Sequence, residues 1–142
     1  MIVARILKDK GRNVITATPD TPMAEVTRLL TDNRIGALAI CDNDALIGII
    51  SERDIVTALS AHGAAIMQEP ASRHMTKEVV TCTEQDTVHH LMEDMTTHRF
   101  RHIPVVENGK LTGIVSIGDV VKLRLALIEM EAESMRDYIK TG

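Results

Sequence analysis

Residues 14–56 can be laid on residues 79–121 without a gap, and this internal repeat constrains the fold more than any other feature of the chain. The register is set by GIISERD (48–54) against GIVSIGD (113–119), an offset of 65 residues (113 minus 48). Identical pairs along it include Thr16 with Thr81, Thr18 with Thr83, Arg34 with Arg99, Asn43 with Asn108, Leu46 with Leu111, Ser51 with Ser116 and Asp54 with Asp119. A chain of 142 residues has the length of one compact domain, so that domain is expected to be one supersecondary unit built twice.

Each copy carries the same signals in the same order. A short extended stretch, VITAT or VVTCT, leads to helix-start residues: Asp20, Thr21 and Pro22 in copy one, Asp86 in copy two. Val88, Leu91, Met92 and Met95 then recur at i, i+3, i+4 and i+7, the stripe of an amphipathic helix, with Met23, Val26, Leu29 and Leu30 as the looser counterpart. Next come ALAIC and IPVV, short enough to be buried strands. Each is followed by a polar turn (DND, ENG) and a second strand (LIGII, LTGIV), Asn108-Gly109 being the stronger hairpin signal. A helix starting near Asp54 or Asp119 closes each unit. The predicted fold is α/β, with the order β-α-β-β-α occurring twice.

Between the copies, residues 57–78 place Gly63, Pro70 and Ser72 at turn-like positions beside a short apolar piece, AAIM, and read as a connector with one small helix. Beyond Asp119 the pattern becomes a long helix. Val121, Leu125, Ile128, Ala132, Met135 and Ile139 alternate spacings of four and three, while Leu123, Leu127 and Met130 line another face. One face can dock on the core and the other on a partner subunit, or both can stay at home.

Composition narrows the function. Phe100 and Tyr138 are the only aromatic residues and tryptophan is absent, so the core must be aliphatic and base-stacking platforms are nearly excluded. Lys+Arg 16 against Asp+Glu 20 leaves a formal charge of -4, with no overall basic field to neutralise a phosphate backbone. Nucleic acid is not an expected partner. Cys41 and Cys82 stand alone in apolar surroundings and are expected to be buried as small hydrophobes. The opening MIVARILKDKGR interrupts its apolar character at Arg5 and Lys8, and no run approaches the ~18 apolar residues of a membrane span. The expectation is a soluble, cytoplasmic protein without membrane association. His89, His90, His98 and His102 suggest metal, but the helix is expected to end between the last two and no cysteine or carboxylate cluster completes a site. No nucleophile elbow, paired catalytic carboxylates or phosphate loop is found, so no catalytic residue is assigned and the chain is not expected to be an enzyme.

Ser51-Glu52-Arg53-Asp54 and Ser116-Ile117-Gly118-Asp119 both fit S-x-x-D at a strand-to-helix junction. One reading is a capping box: the serine accepts from an orphan amide, and the acid offsets the positive end of the helix dipole. The other is a binding site, because a helix N-terminus with a serine hydroxyl can hold phosphate while a carboxylate accepts both hydroxyl hydrogens of a ribose. The same residues can do both.

With these motifs in place, the sequence resembles a tandem pair of cystathionine β-synthase (CBS) domains, the arrangement called a Bateman module; RFRHIPVV followed by GIVSIGD carries much of the likeness. The resemblance spans nearly the whole chain, with repeat one at about 8–61, a connector at about 62–74, repeat two at about 75–124 and a C-terminal helix at about 119–140. It implies two repeats packed about a pseudo-twofold axis, with adenosine-containing ligands in the clefts between them.

Residue by residue, the resemblance implies that Asp119 and Asp54 hold ribose hydroxyls and that Ser116 and Ser51 lie against phosphate or ribose. Ile114 and Ile49 fill the hydrophobic place of the same motif. MTKEVV (75–80) resembles the segment that enters repeat two and lines the adenine, with Thr76 as a side-chain contact and Val79 or Val80 offering backbone groups; Val14 is the counterpart in copy one. Arg101 and His102 fall where phosphate-contacting basic residues stand, although an exposed strand edge would also explain them, and Arg53 could reach phosphates or Glu52. Copy one lacks the Met-Thr pair and has GALAI for RHIPV, which makes the Asp119 site the more complete by likeness. The implied function is an adenine-nucleotide sensor, AMP first, with ADP, ATP or NAD(H) behind it. Such a sensor would form a homodimer and regulate an unidentified protein; the alternative is a structural dimerisation domain with empty clefts.

Overall fold

The computed structural model describes residues 1–141. Helix α1 (Val3–Lys10) precedes a three-stranded sheet with the order β1 (Thr16–Ala17), β2 (Ala37–Asp42), β3 (Ala45–Ser51); α2 (Met23–Asn33) links β1 to β2 and α3 (Glu52–His62) follows β3. A 3-10 turn (Gly63–Gln68) and the single-turn helix α4 (Ala71–His74) lead to the second half. That half contains α5 (Val88–His98), the hairpin β4 (His102–Glu107) and β5 (Lys110–Ser116), and α6 (Ile117–Thr141).

The 65-residue offset survives in the interior. Ala17, Met23, Val26, Leu30, Leu38, Ile40, Ile50 and Ile55 form one core, and Cys82, Val88, Leu91, Met95, Ile103, Val105, Val115 and Val120, their counterparts one for one, form the other. The backbone repeats as well. α2 and α5 both end on an arginine in the left-handed region, Arg34 (φ 53) and Arg99 (φ 58). Both hairpins turn through two positive-φ residues, Asn43-Asp44 and Asn108-Gly109, as tight β-turns of this hand require. Both carry a bulge, between Ile40 and Cys41 and between Val105 and Val106.

Two features of copy two depart from the sequence reading. The first strand of copy two shrinks to an isolated parallel bridge, Cys82 with Val105. Cys82 donates to the Pro104 carbonyl and accepts from Val106, but the ladder's next bond toward Val80 would need an amide on residue 104, and proline has none. Ala39, in the equivalent place, lets β1 pair with β2 at two positions. Asp86 does not cap α5: its carboxylate accepts from the Thr83 amide, while Thr87 is the N-cap and accepts from His90.

The halves exchange their leading helices. α1 precedes copy one in sequence, yet Val3, Ile6 and Leu7 are buried in the core of copy two. Its free N-terminal amides are satisfied there, Val3 donating to the Asp86 carbonyl and Ala4 to that of Glu84. Arg12 then bonds the Glu84 carboxylate at 2.6 Å. α4 does the reverse: it precedes copy two but buries Ala71 in the core of copy one, held by Ala71 donating to Thr21, Ser72 to Pro19 and Met23 to Glu69.

Candidate functional site: two clefts between the repeats

Where β3 runs into α3, the Ser51 hydroxyl accepts from the Asp54 amide at 3.3 Å and the Asp54 carboxylate accepts from the Ser51 amide at 2.9 Å. At the β5 to α6 junction the Ser116 hydroxyl accepts from the Asp119 amide at 3.2 Å and Asp119 accepts from the Ser116 amide at 2.9 Å. The capping reading therefore holds at both motifs. Both carboxylates also face open clefts, of about 350 Å³ beside Asp54 and about 330 Å³ beside Asp119, sizes at the lower end for small-ligand sites.

The exchanged helices decide the membership of each cleft. Because α4 packs on copy one, the chain leaving it runs past β3, and Thr76, Val79 and Val80 line the cleft with Ile49, Ser51, Arg53 and Asp54. Thr76 forms a bridge with Ile49, donating to its carbonyl at 2.9 Å and accepting from its amide at 3.0 Å. The likeness had suggested that the MTKEVV segment serves the Asp119 site as part of repeat two; instead it completes the Asp54 site. The second cleft gathers Val14, Ile114, Ser116 and Asp119. Arg101 lies in the first cleft alone, and His102 lines both.

Gly36 and Ala37 share that central position with His102. A Cβ on residue 36 would stand 3.1 Å from His102 Cε1, so the bare glycine leaves room for the ring. Burial pushes the His102 imidazole pKa down, and the charge of Lys10 pushes it further, against weaker opposing pulls from Glu52 and Asp119. The folded chain thus takes up this proton less readily than the unfolded chain, whose histidine titrates near pH ~6.5. The stabilisation is present above that pH and lost as pH falls through the lower folded value. His102→Asn is expected to flatten the fall in stability from about pH 7 to about pH 5, as read by urea denaturation across that range.

Several lining residues are not assigned to a site from the sequence. Phe100 enters the Asp54 cleft, stacked on His98 with ring centroids 5.5 Å apart, and Glu78, Arg99 and Glu52 add charge there. Lys10, Asn13 and Arg34 line the Asp119 cleft. The Lys10 ammonium donates to Asp119 Oδ2 at 2.8 Å and to the Ile114 carbonyl at 2.7 Å. Burial pushes the Asp119 carboxyl up, but hydrogen bonds from Lys10 and Ser116 outweigh it and hold the group below its usual range. Lys10 belongs to α1, so nothing in the repeated segment points to it.

Among the described residues no three histidine, cysteine or acidic side chains gather as a metal site would need, and no helix is long and apolar enough to cross a membrane. Burial pushes the Cys82 thiol up to about 12, leaving it protonated and unreactive at neutral pH.

The CBS-domain containing protein ATU1752 from Agrobacterium tumefaciens is 47% identical and superposes with a TM-score of 0.84 over 87% of this chain and 99% of its own. The CBS domain pair of MJ0100, solved in complex with 5'-methylthioadenosine and S-adenosyl-L-methionine, is 29% identical with a TM-score of 0.77 over 87% of this chain and 98% of its own. By sequence, the mitochondrial CBS domain-containing protein CBSX3 of Arabidopsis thaliana is 30% identical over 149 residues, spanning 99% of this chain and 72% of that protein. The CBS domain profile matches residues 6–61 and again 71–126, two spans separated by the same 65 residues (71 minus 6), and the chain belongs to the CBS domain family as a tandem pair.

Proposed function

We propose that this chain is a non-catalytic regulatory module that binds an adenosine-containing ligand, AMP first among the candidates, in the clefts between its repeats. ADP, ATP or NAD(H) are the next candidates. The observation that carries the reading is the pair of carboxylates, Asp54 and Asp119, each fixed by its own helix cap and each facing a cleft. A carboxylate held in this way can accept two hydroxyl hydrogens from a ribose without first losing freedom of its own. Basic groups line the same clefts and could take a phosphate, Arg53, Arg99 and Arg101 beside Asp54 and His102 in both. The complex of the related MJ0100 pair with two adenosine compounds supports the same ligand class. Phosphate bound near His102 would favour its protonated form, so nucleotide affinity would rise as pH falls.

A second reading, a dimerisation domain, is favoured by one observation. Val121, Leu125, Ile128, Met135 and Ile139 of α6 are 48–72% exposed along one stripe, and Val56, the counterpart of Val121 on α3, is 65% exposed. The two readings are compatible: paired helices would let ligand-driven changes between the repeats reach a second copy and a regulated partner.

A thermal unfolding series with AMP, ADP, ATP and NADH, run beside a light-scattering measurement of mass, tests the proposal. A ligand that binds only the folded state should raise Tm by several degrees once well above its Kd. No shift with any of the four, together with a two-chain mass, would leave the dimerisation reading alone.

A further inference from the structure

At the 65-residue offset, Lys10 and Gly11 hold the places of Met75 and Thr76, and here the two clefts stop being equivalent. Beside Asp54, the Thr76 backbone bridges Ile49, and its neutral hydroxyl lies 3.3 and 3.4 Å from the carboxylate oxygens, at the long limit of a hydrogen bond. Beside Asp119 there is no matching bridge among those between the described residues. The carbonyl of Ile114, counterpart of Ile49, is taken by the Lys10 ammonium, which also bonds Asp119.

We propose that Lys10 is a tethered cation closing the sugar end of the Asp119 cleft, so that an adenosine ligand fills the Asp54 cleft first and enters the second only by displacing this ammonium. The inference rests on the adenosine reading above. Asp119 Oδ2 accepts from both the Ser116 amide at 2.9 Å and the Lys10 ammonium at 2.8 Å, and Lys10 neutralises the charge of the carboxylate. A ribose that engages both carboxylate oxygens must then replace a charge-assisted bond on Oδ2 with one from a neutral donor.

The tether is short. Lys10 ends α1, one turn beyond Leu7, which is wholly buried with its side chain so close over Gly113 that a Cβ there would meet Leu7 Cδ2 at 2.6 Å. The backbone beneath Lys10 is therefore pinned, and its ammonium competes at a high effective concentration. The lock is nevertheless reversible: the Lys10 and Asp119 side chains are 41% and 22% exposed, so the ammonium can swing into water.

Calorimetric titration with AMP, ATP and S-adenosyl-L-methionine in turn, on the parent, Lys10→Met and Lys10→Arg, tests this. Methionine removes the charge while keeping an unbranched side chain, and arginine keeps the charge. In the parent the second site should be about tenfold weaker than the first, the scale of a part-exposed charged hydrogen bond. Lys10→Met should tighten the second site until the two match, while Lys10→Arg behaves as the parent. The Asp119 carboxyl, followed by NMR, should titrate higher in Lys10→Met whether or not ligand binds. Two equal sites in the parent, or a weaker second site in Lys10→Met, would overturn the lock and leave the adenosine reading standing. No binding by any protein, with the Asp119 titration still shifted, would overturn the adenosine reading, and the lock's role in ordering the sites with it.

Discussion

Leu7→Ala should lower the unfolding free energy by about 2 to 5 kcal/mol, the range for truncating a fully buried leucine, although Leu7 lies outside the repeated segment. Its side chain is 0% exposed and belongs to the core of copy two, with Val3 and Ile6 alongside. The cavity would open against β5, where Gly113 offers no side chain to refill it. Urea denaturation gives the total loss, and amide hydrogen exchange locates it. Protection should fall first in β5 and α5, and β2 of copy one should hold longer, because α1 contributes nothing to the core around β2. A loss below about 1 kcal/mol would mean that α1 frays from the second half in solution and that the exchange of leading helices is not part of the stable fold.

Asp54→Asn should weaken binding of the adenosine ligand by roughly 10- to 100-fold, about 1.5 to 3 kcal/mol, the scale of hydrogen bonds to a charged acceptor. Asparagine keeps an oxygen for the Ser51 amide, so the cap on α3 persists while the charge proposed to hold the ribose is lost. That separates the two roles of the residue: Tm without ligand should move little, and affinity should move much. Asp119→Asn should have a smaller effect on the first binding event, because that event is expected in the Asp54 cleft, which Asp119 does not line. Equal affinity for Asp54→Asn and the parent would reject the ribose assignment in the first cleft.

Much of the fold was legible because both periodicities are local. Val88, Leu91 and Met95 recur at helical spacing and are buried, while Met92, on the edge of the same stripe, is 38% exposed. Asn108-Gly109 identified a hairpin through the positive φ it tolerates, and the equivalent Asn43-Asp44 turn follows from the repeat even though its second residue is not glycine. The acid-and-serine motifs were also legible, since a helix cap involves residues three apart. Phe100 and Lys10 were not. A lone aromatic and a lone lysine carry no pattern, and each reaches its cleft only because a distant element places it there.

The sequence by itself determined the duplication, the two caps and most of the apolar helix and strand positions that fill each core, because each follows from spacing along the chain and from apolar side chains leaving water. Only the tertiary structure decided which segment completes which cleft. The same 65-residue step that pairs Ile6 with Ala71 sends α1 into the second core and α4 into the first, since each half has an apolar groove that its own chain entry does not fill. Thr76 thereby joins Asp54 and Lys10 joins Asp119. Two nearly identical motifs thus end up with a neutral hydroxyl bonded to one carboxylate and an ammonium bonded to the other.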